Sequence, residues 1–121
     1  TVADNIFAKM SDTKTPQGVL ALLRMQRRSL AEVLAKGASC FLAVESLQDP
    51  GNLGTMLRAG EGAGLSAILA NRGTVDIYNP KVIRATMGSI FRIPVVYADD
   101  WLAALRELSA NHVSLYAAAL L

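Results

Sequence analysis

An amide and a permanent cation, Asn52 and Arg58, stand six positions apart in the run Asp49-Pro50-Gly51-Asn52-Leu53-Gly54-Thr55-Met56-Leu57-Arg58. On a helix that spacing is about 9 Å of axial rise at ~1.5 Å per residue. Helical side chains lean toward the N-terminus, so the long Arg58 side chain can bring its guanidinium back to the level of Asn52. Such a pair offers hydrogen-bond donors and fixed charge, because a guanidinium with a pKa above about 12 is a poor general base. The plainer reading of the same residues is a helix cap and a surface charge.

Other residue types were weighed in the same way. Ser89, in Met87-Gly88-Ser89-Ile90-Phe91, has no base beside it and reads as structural. His112 stands alone beside an apolar run and reads as a packing or surface residue. Glu45 and Asp49 lie near a strand end without the cluster that a metal needs, so no metal site is expected. Arg84 and Arg92 are candidate phosphate contacts, against the alternative of a solvated helix face. Arg24, Arg27 and Arg28 form a short basic connector that reads as a solvated linker. The cluster Gly60-Glu61-Gly62-Ala63-Gly64 follows its helix, whereas a dinucleotide fold needs G-x-G-x-x-G between strand and helix, and no G-x-x-x-x-G-K-[ST] occurs. Rossmann oxidoreductases and P-loop nucleoside triphosphatases are therefore disfavoured.

The elements that must position Asn52 and Arg58 follow from periodicity. Phe41 to Val44 and Ser66 to Ala70 are short apolar runs of the kind buried in a parallel sheet. Between them Asp49 and Asn52 are candidate N-caps, Pro50 suits the first turn, and Leu53, Met56, Leu57 and Gly60 share one face. Gly60, Gly62 and Gly64 are expected to end this helix. The unit is βαβ, whose loops lie at the carboxyl edge of the sheet, where open α/β folds bind ligands. Upstream, Ser29 and Glu32 predict a capping box for a helix over Leu30 to Lys36, with Gly37 just past its end. Downstream, Asn79 and Pro80 open a helix with Val82, Ile83, Thr86 and Met87 inward, closed by Gly88. Pro94 to Tyr97 is a third strand. Asp99 and Asp100 start a helix with Trp101, Leu102, Leu105 and Leu108 inward, ended by Asn111, and His112 to Ala118 is a fourth strand. The expected architecture is α/β, a parallel sheet with helices on both faces. Residues 1–23 lack a core of their own, although Val19 to Leu23 is strand-like.

Composition allows one domain: 121 residues, 52% hydrophobic and 6% aromatic. A net charge of +2 tolerates a polyanion without demanding one. The single Cys40 abuts a strand and is expected to be a buried thiol in a reducing compartment. No run approaches the roughly 20 apolar residues of a membrane helix and no signal-peptide pattern opens the chain, which points to a soluble cytoplasmic protein without membrane contact. Thr1 is not an initiator methionine and Leu121 falls inside an apolar run, so the chain reads as a fragment of a longer one.

The runs FLAVESLQDPGNLGTMLRAGEGAG and NPKVIRATMGSIFRIPVV resemble the first part of the catalytic domain of the SpoU (TrmH-type) RNA ribose 2′-O-methyltransferases, of the knotted SPOUT class. The likeness spans about residues 37–121. Ser11 to Gly18 resembles the segment that leaves an N-terminal RNA-binding domain, so residues 1–28 would be the remnant of that domain and its linker, and residues 29–121 the first part of the SPOUT domain. The resemblance implies S-adenosylmethionine as cofactor, RNA (rRNA or tRNA) as substrate and a homodimer in the full-length protein. It places catalytic function on Asn52 and Arg58, with Arg58 stabilising the developing ribose alkoxide, and it puts Ala118, Ala119 and Leu120 at the edge of the cofactor pocket. The family's Gly-Asn-Glu and Ser-Leu-Asn motifs, which build most of that pocket and the knot, do not occur in this sequence. The polypeptide is therefore expected to be inactive alone and to be a monomer or to associate differently. A non-catalytic RNA-binding or assembly module is the competing reading.

Overall fold

A computed structural model describes residues 1–119. Three parallel strands, β1 (Phe41–Val44), β2 (Ala67–Asn71) and β3 (Val95–Ala98), pair in that spatial order. Phe41 lies opposite Ala67, and Ile68 opposite Val95. β2 is central and its alternation builds both halves of the core. Ala67 and Leu69 face one side, where Leu30 and Val33 of α2 (Leu30–Ala35) meet Ala104 and Leu108 of α5 (Trp101–Ala110). Ile68 and Ala70 face the other, against Leu53 and Leu57 of α3 (Pro50–Gly62) and Val82 of α4 (Pro80–Ala85). The expected sheet with helices on both faces is what forms.

Local signals account for the helix ends. Ser29 and Glu32 form the reciprocal capping box, and Gly37 follows α2 at φ +83°. Asp49, Asn79 and Asp100 cap α3, α4 and α5 through their side chains. Gly88 takes φ +89° after α4, and a 3₁₀ turn over Ser89–Phe91 leads into β3. Asn111 ends α5.

Several inward faces differ from expectation. In α3 the buried stripe is Leu53, Gly54, Leu57 and Gly60, while Met56 is exposed. Gly60 lies inside the helix instead of ending it: a Cβ there would stand 2.2 Å from Leu65 Cδ1, so the glycine admits the half-buried Leu65 side chain. Gly54 does the same for α4, since a Cβ would stand 2.4 Å from that of Ala85. This close crossing rotates α4 so that Val82 and Thr86 are buried and Ile83 and Met87 are not. In α5 Ala104 and Leu108 are buried, Trp101 and Leu105 pack at the margin, and Leu102 is exposed. Cys40 is exposed, because it precedes the first paired residue of β1.

Two expected strands are absent among the described residues. Val19 to Leu23 is unpaired, with Val19 and Leu22 86% and 96% exposed. After α5, Val113 docks on the first core cluster and the chain continues irregular and exposed through Tyr116. A strand exists only through its ladder, and neither run lies against an edge of the sheet. α1 (Asp4–Met10) forms within the N-terminal segment that lacks a core of its own, and buries nothing.

Candidate active site

The loop between β1 and α3 carries the site, and its shape is fixed from the neighbouring loop. Asn71, at the end of β2, accepts from the Ser46 N–H at 2.8 Å and donates to the Ser46 hydroxyl at 3.2 Å. Thr74, buried beneath, donates to Asn71 Oδ1 at 2.9 Å. The Val75 N–H donates to the Leu47 carbonyl at 2.8 Å, and Gln48 donates through its amide to the Gly73 carbonyl. These bonds hold Ser46 at φ +54°, a left-handed conformation that costs a non-glycine residue free energy. By its sequence alone Asn71 to Tyr78 reads as a loop, without this bracing. The available signal was an amide directly at a strand end, followed by a glycine and a small hydroxyl residue.

From this base Asp49 caps α3, its Oδ1 accepting from the Asn52 N–H at 2.6 Å. Asp49 alone is the cap, so the Asn52 amide is left over for other work. It sits exposed in the first helical turn, at the carboxyl edge of the sheet. Arg58 is also exposed and makes no hydrogen bond or ion pair among the described residues. Six residues turn a helix through ~600°, leaving the two side chains ~120° apart around the axis. They flank the stripe of Leu53, Leu57 and Gly60 on opposite sides, and no hydrogen bond joins them. Any meeting of the two is through a bound third group.

The remaining arginines behave differently. Arg72 pairs with Asp99 at 2.5 Å. Arg92 pairs through Nε with Glu61, with a second bond from Nη2 at 3.0 Å, and the buried Ser89 hydroxyl donates to the same carboxylate. The Arg92 guanidinium, with help from Ser89, holds the Glu61 carboxyl down at about 2. Ser89 is therefore a structural donor with a specific partner that the sequence did not show. Arg84 is exposed on α4. Tyr97 braces the loop behind β2, accepting from the Ile77 N–H at 2.8 Å and donating to the Val75 carbonyl at 2.6 Å; burial pushes its hydroxyl up to about 12.

The positions named for a cofactor do not form a pocket. Ala118 and Ala119 are exposed in the irregular segment after α5, and Leu120 lies outside the described residues. As they stand, the residues present do not fit a nucleoside-sized group. A cleft of about 560 Å³ does open along the β3 edge, between Gln26, Arg28, Tyr78 and Tyr97, and neither Asn52 nor Arg58 lines it. Among the described residues no cluster of three or more His, Cys, Asp or Glu could hold a metal, and no helix is long and apolar enough to cross a membrane.

Comparison with known proteins agrees with this architecture. Residues 39–120 match the model of the SpoU rRNA Methylase family. The chain is 38% identical over 125 aligned residues to the 23S rRNA (guanosine(2553)-2′-O)-methyltransferase RlmP of Bacillus subtilis, covering 98% of this chain and 46% of that protein. It is 39% identical to the human mitochondrial rRNA methyltransferase 3 over 75% of this chain and 23% of that one. The AdoMet-bound rRNA methyltransferase from Sinorhizobium meliloti superposes with a TM-score of 0.74 at 27% identity, over 88% of this chain and 41% of that one. The chain thus spans less than half the length of each of these three relatives.

Proposed function

The chain belongs to the SpoU rRNA Methylase family, and from that membership we propose that it carries the first part of the catalytic domain of an RNA ribose 2′-O-methyltransferase using S-adenosylmethionine. The observation that carries the assignment of roles is the state of Arg58. Its guanidinium is exposed and, among the described residues, unpaired on the helix that presents Asn52, whereas Arg72 and Arg92 are both neutralised by carboxylates. A cation left without a partner in the folded chain is available to a substrate oxyanion. Arg58 stabilises charge developing on the ribose 2′-oxygen, and Asn52 orients that hydroxyl from the neighbouring turn. S-adenosylmethionine, when held by the whole protein, supplies the methyl group.

The names of the relatives favour rRNA over tRNA as substrate. Arg84, exposed and unpaired among the described residues, suits a phosphate contact; Arg92 could reach RNA only with the part of its guanidinium that Glu61 leaves free. Residues 1–28 are assigned to the linker from an RNA-binding domain, which accords with an α1 that buries nothing. Homodimerisation and a cytoplasmic location are assigned to the full-length protein on the same reading.

The test is Arg58→Ala in the full-length protein with an rRNA substrate. Methyl transfer should fall by roughly 10²–10³, the cost of losing one oxyanion-stabilising donor, with the circular dichroism unchanged. Retained turnover would remove Arg58 from the mechanism. A wild-type protein that binds RNA identically with and without S-adenosylmethionine, and transfers no methyl, would be an assembly module instead.

A further inference from the structure

Glu61 lies three residues after Arg58 on α3, and helical neighbours at that spacing have Cβ atoms only ~5–6 Å apart, close enough to pair. Yet Glu61 does not reach for Arg58. Its two oxygens are taken up by Nε and Nη2 of Arg92 and by the Ser89 hydroxyl, all from the turn that follows α4. Two features make this diversion firm. Ser89 is 1% exposed, so its hydroxyl is fixed by packing, and the Ile93 N–H donates to the Ser89 carbonyl at 2.9 Å, which locks the turn. Gly88 supplies the left-handed φ of +89° from which the turn carrying Ser89 and Arg92 starts.

We propose that Ser89 and Arg92 are positioning residues that occupy the Glu61 carboxylate and so keep the Arg58 guanidinium unpaired for the substrate. The inference rests on the catalytic reading of Arg58. Without Arg92, Glu61 is an unengaged carboxylate one turn from a cation, and it pairs with that cation. The pairing places a negative charge beside the point where the ribose alkoxide must form.

A brace and a guard make different predictions, because Arg92→Ala and Glu61→Gln break the same ion pair but only the first frees a carboxylate. In full-length protein Arg92→Ala should lower kcat by roughly three- to tenfold with KM for RNA little changed, while Glu61→Gln should stay within about twofold of wild type. The double variant Glu61→Gln/Arg92→Ala should recover most of the lost kcat. Where Arg92→Ala does not fold, Arg92→Met keeps the stem packing and replaces it in the same comparison. Equal losses in Glu61→Gln and Arg92→Ala, or no recovery in the double variant, would make the cluster a simple brace and overturn the inference. A loss confined to KM for RNA would make Arg92 a phosphate contact and overturn it as well. Arg58→Ala run alongside separates the two levels: if that variant stays active, the catalytic reading has failed; if it is dead and the recovery is absent, only the guard has.

Discussion

Asn71 and Ser46 hydrogen-bond in both directions, the amide oxygen accepting from the Ser46 N–H and the amide nitrogen donating to the Ser46 hydroxyl. The pair joins the carboxyl ends of β2 and β1 across 25 residues and holds the loop that presents Asp49 and Asn52. Asn71→Ala removes both bonds and also the acceptor for Thr74. The expected cost is about 1–3 kcal/mol, because the Ser46 bonds are lost and the buried Thr74 hydroxyl is left with only the longer bond to the Val44 carbonyl, at 3.4 Å. Amide exchange should accelerate over residues 45–49 before it does in β2. Unchanged protection there would mean that the loop holds its own shape.

The linker before α2 hangs on one hydroxyl. Tyr78 accepts from the Gln26 N–H at 2.8 Å and donates to the Gln26 carbonyl at 2.7 Å, and Arg28 donates to the Gln26 side chain at 3.0 Å. Tyr78→Phe should cost only about 0.5–1.5 kcal/mol, since water can satisfy the exposed Gln26 backbone. The larger effect is local. Trypsin should cut after Arg27 and Arg28 several-fold faster in the variant under native conditions, with the core still folded. Identical cleavage rates would show that the tyrosine does not tether the linker.

What could be read from the chain divides along a physical line. β1, β2, β3 and the N-caps of α2 to α5 rest on local signals, such as apolar runs, Ser29 with Glu32, and Asp or Asn before Pro, and these are legible, whereas α1 has no side-chain cap to announce it. Met56, Ile83, Met87 and Leu102 face outward because helix rotation is set by packing partners, for α4 by the close crossing of α3 that Gly54 permits. Strand character at Val19 to Leu23 and after His112 was judged from composition, whereas a strand needs a ladder that the sequence does not display. At the site, the spacing of Asn52 and Arg58 is visible. The Asn71–Ser46 stitching and the Glu61–Ser89–Arg92 cluster are not, because they join residues 25, 28 and 31 positions apart.

The Glu61 cluster should leave a mark on acid unfolding. In the folded chain Arg92, then Ser89, lowers the Glu61 pKa from 4.5 to about 2. A carboxyl with a depressed folded value contributes stability that is fully present above the unfolded pKa and is lost as pH falls toward the folded one. The window is therefore between about pH 4.5 and 2. Glu32 is lowered by its capping-box bonds to Ser29 and acts in the same direction, so the wild-type curve holds both. Glu61→Gln isolates one of them: the stability difference between wild type and variant should be constant above about pH 5 and shrink below pH 4. A difference that stays constant down to pH 2.5 would mean that Glu61 is not held by Arg92 in solution.

Cofactor binding by these 121 residues alone should be weak or absent. A nucleoside site buries most of its ligand in a concave, largely preformed cavity. Here the segment assigned to the pocket edge is exposed at Ala118 and Ala119, and the cleft along β3 lies elsewhere, between the linker and Tyr97. Affinity would have to come from one face of a ligand, without the burial that offsets the cost of binding. Calorimetry with S-adenosylmethionine should show no heat of binding at concentrations where the full-length protein saturates, and the melting temperature should not move. Micromolar affinity would show that residues 1–121 complete a pocket on their own, by drawing the chain after Val113 into a fourth strand against the free edge of the sheet.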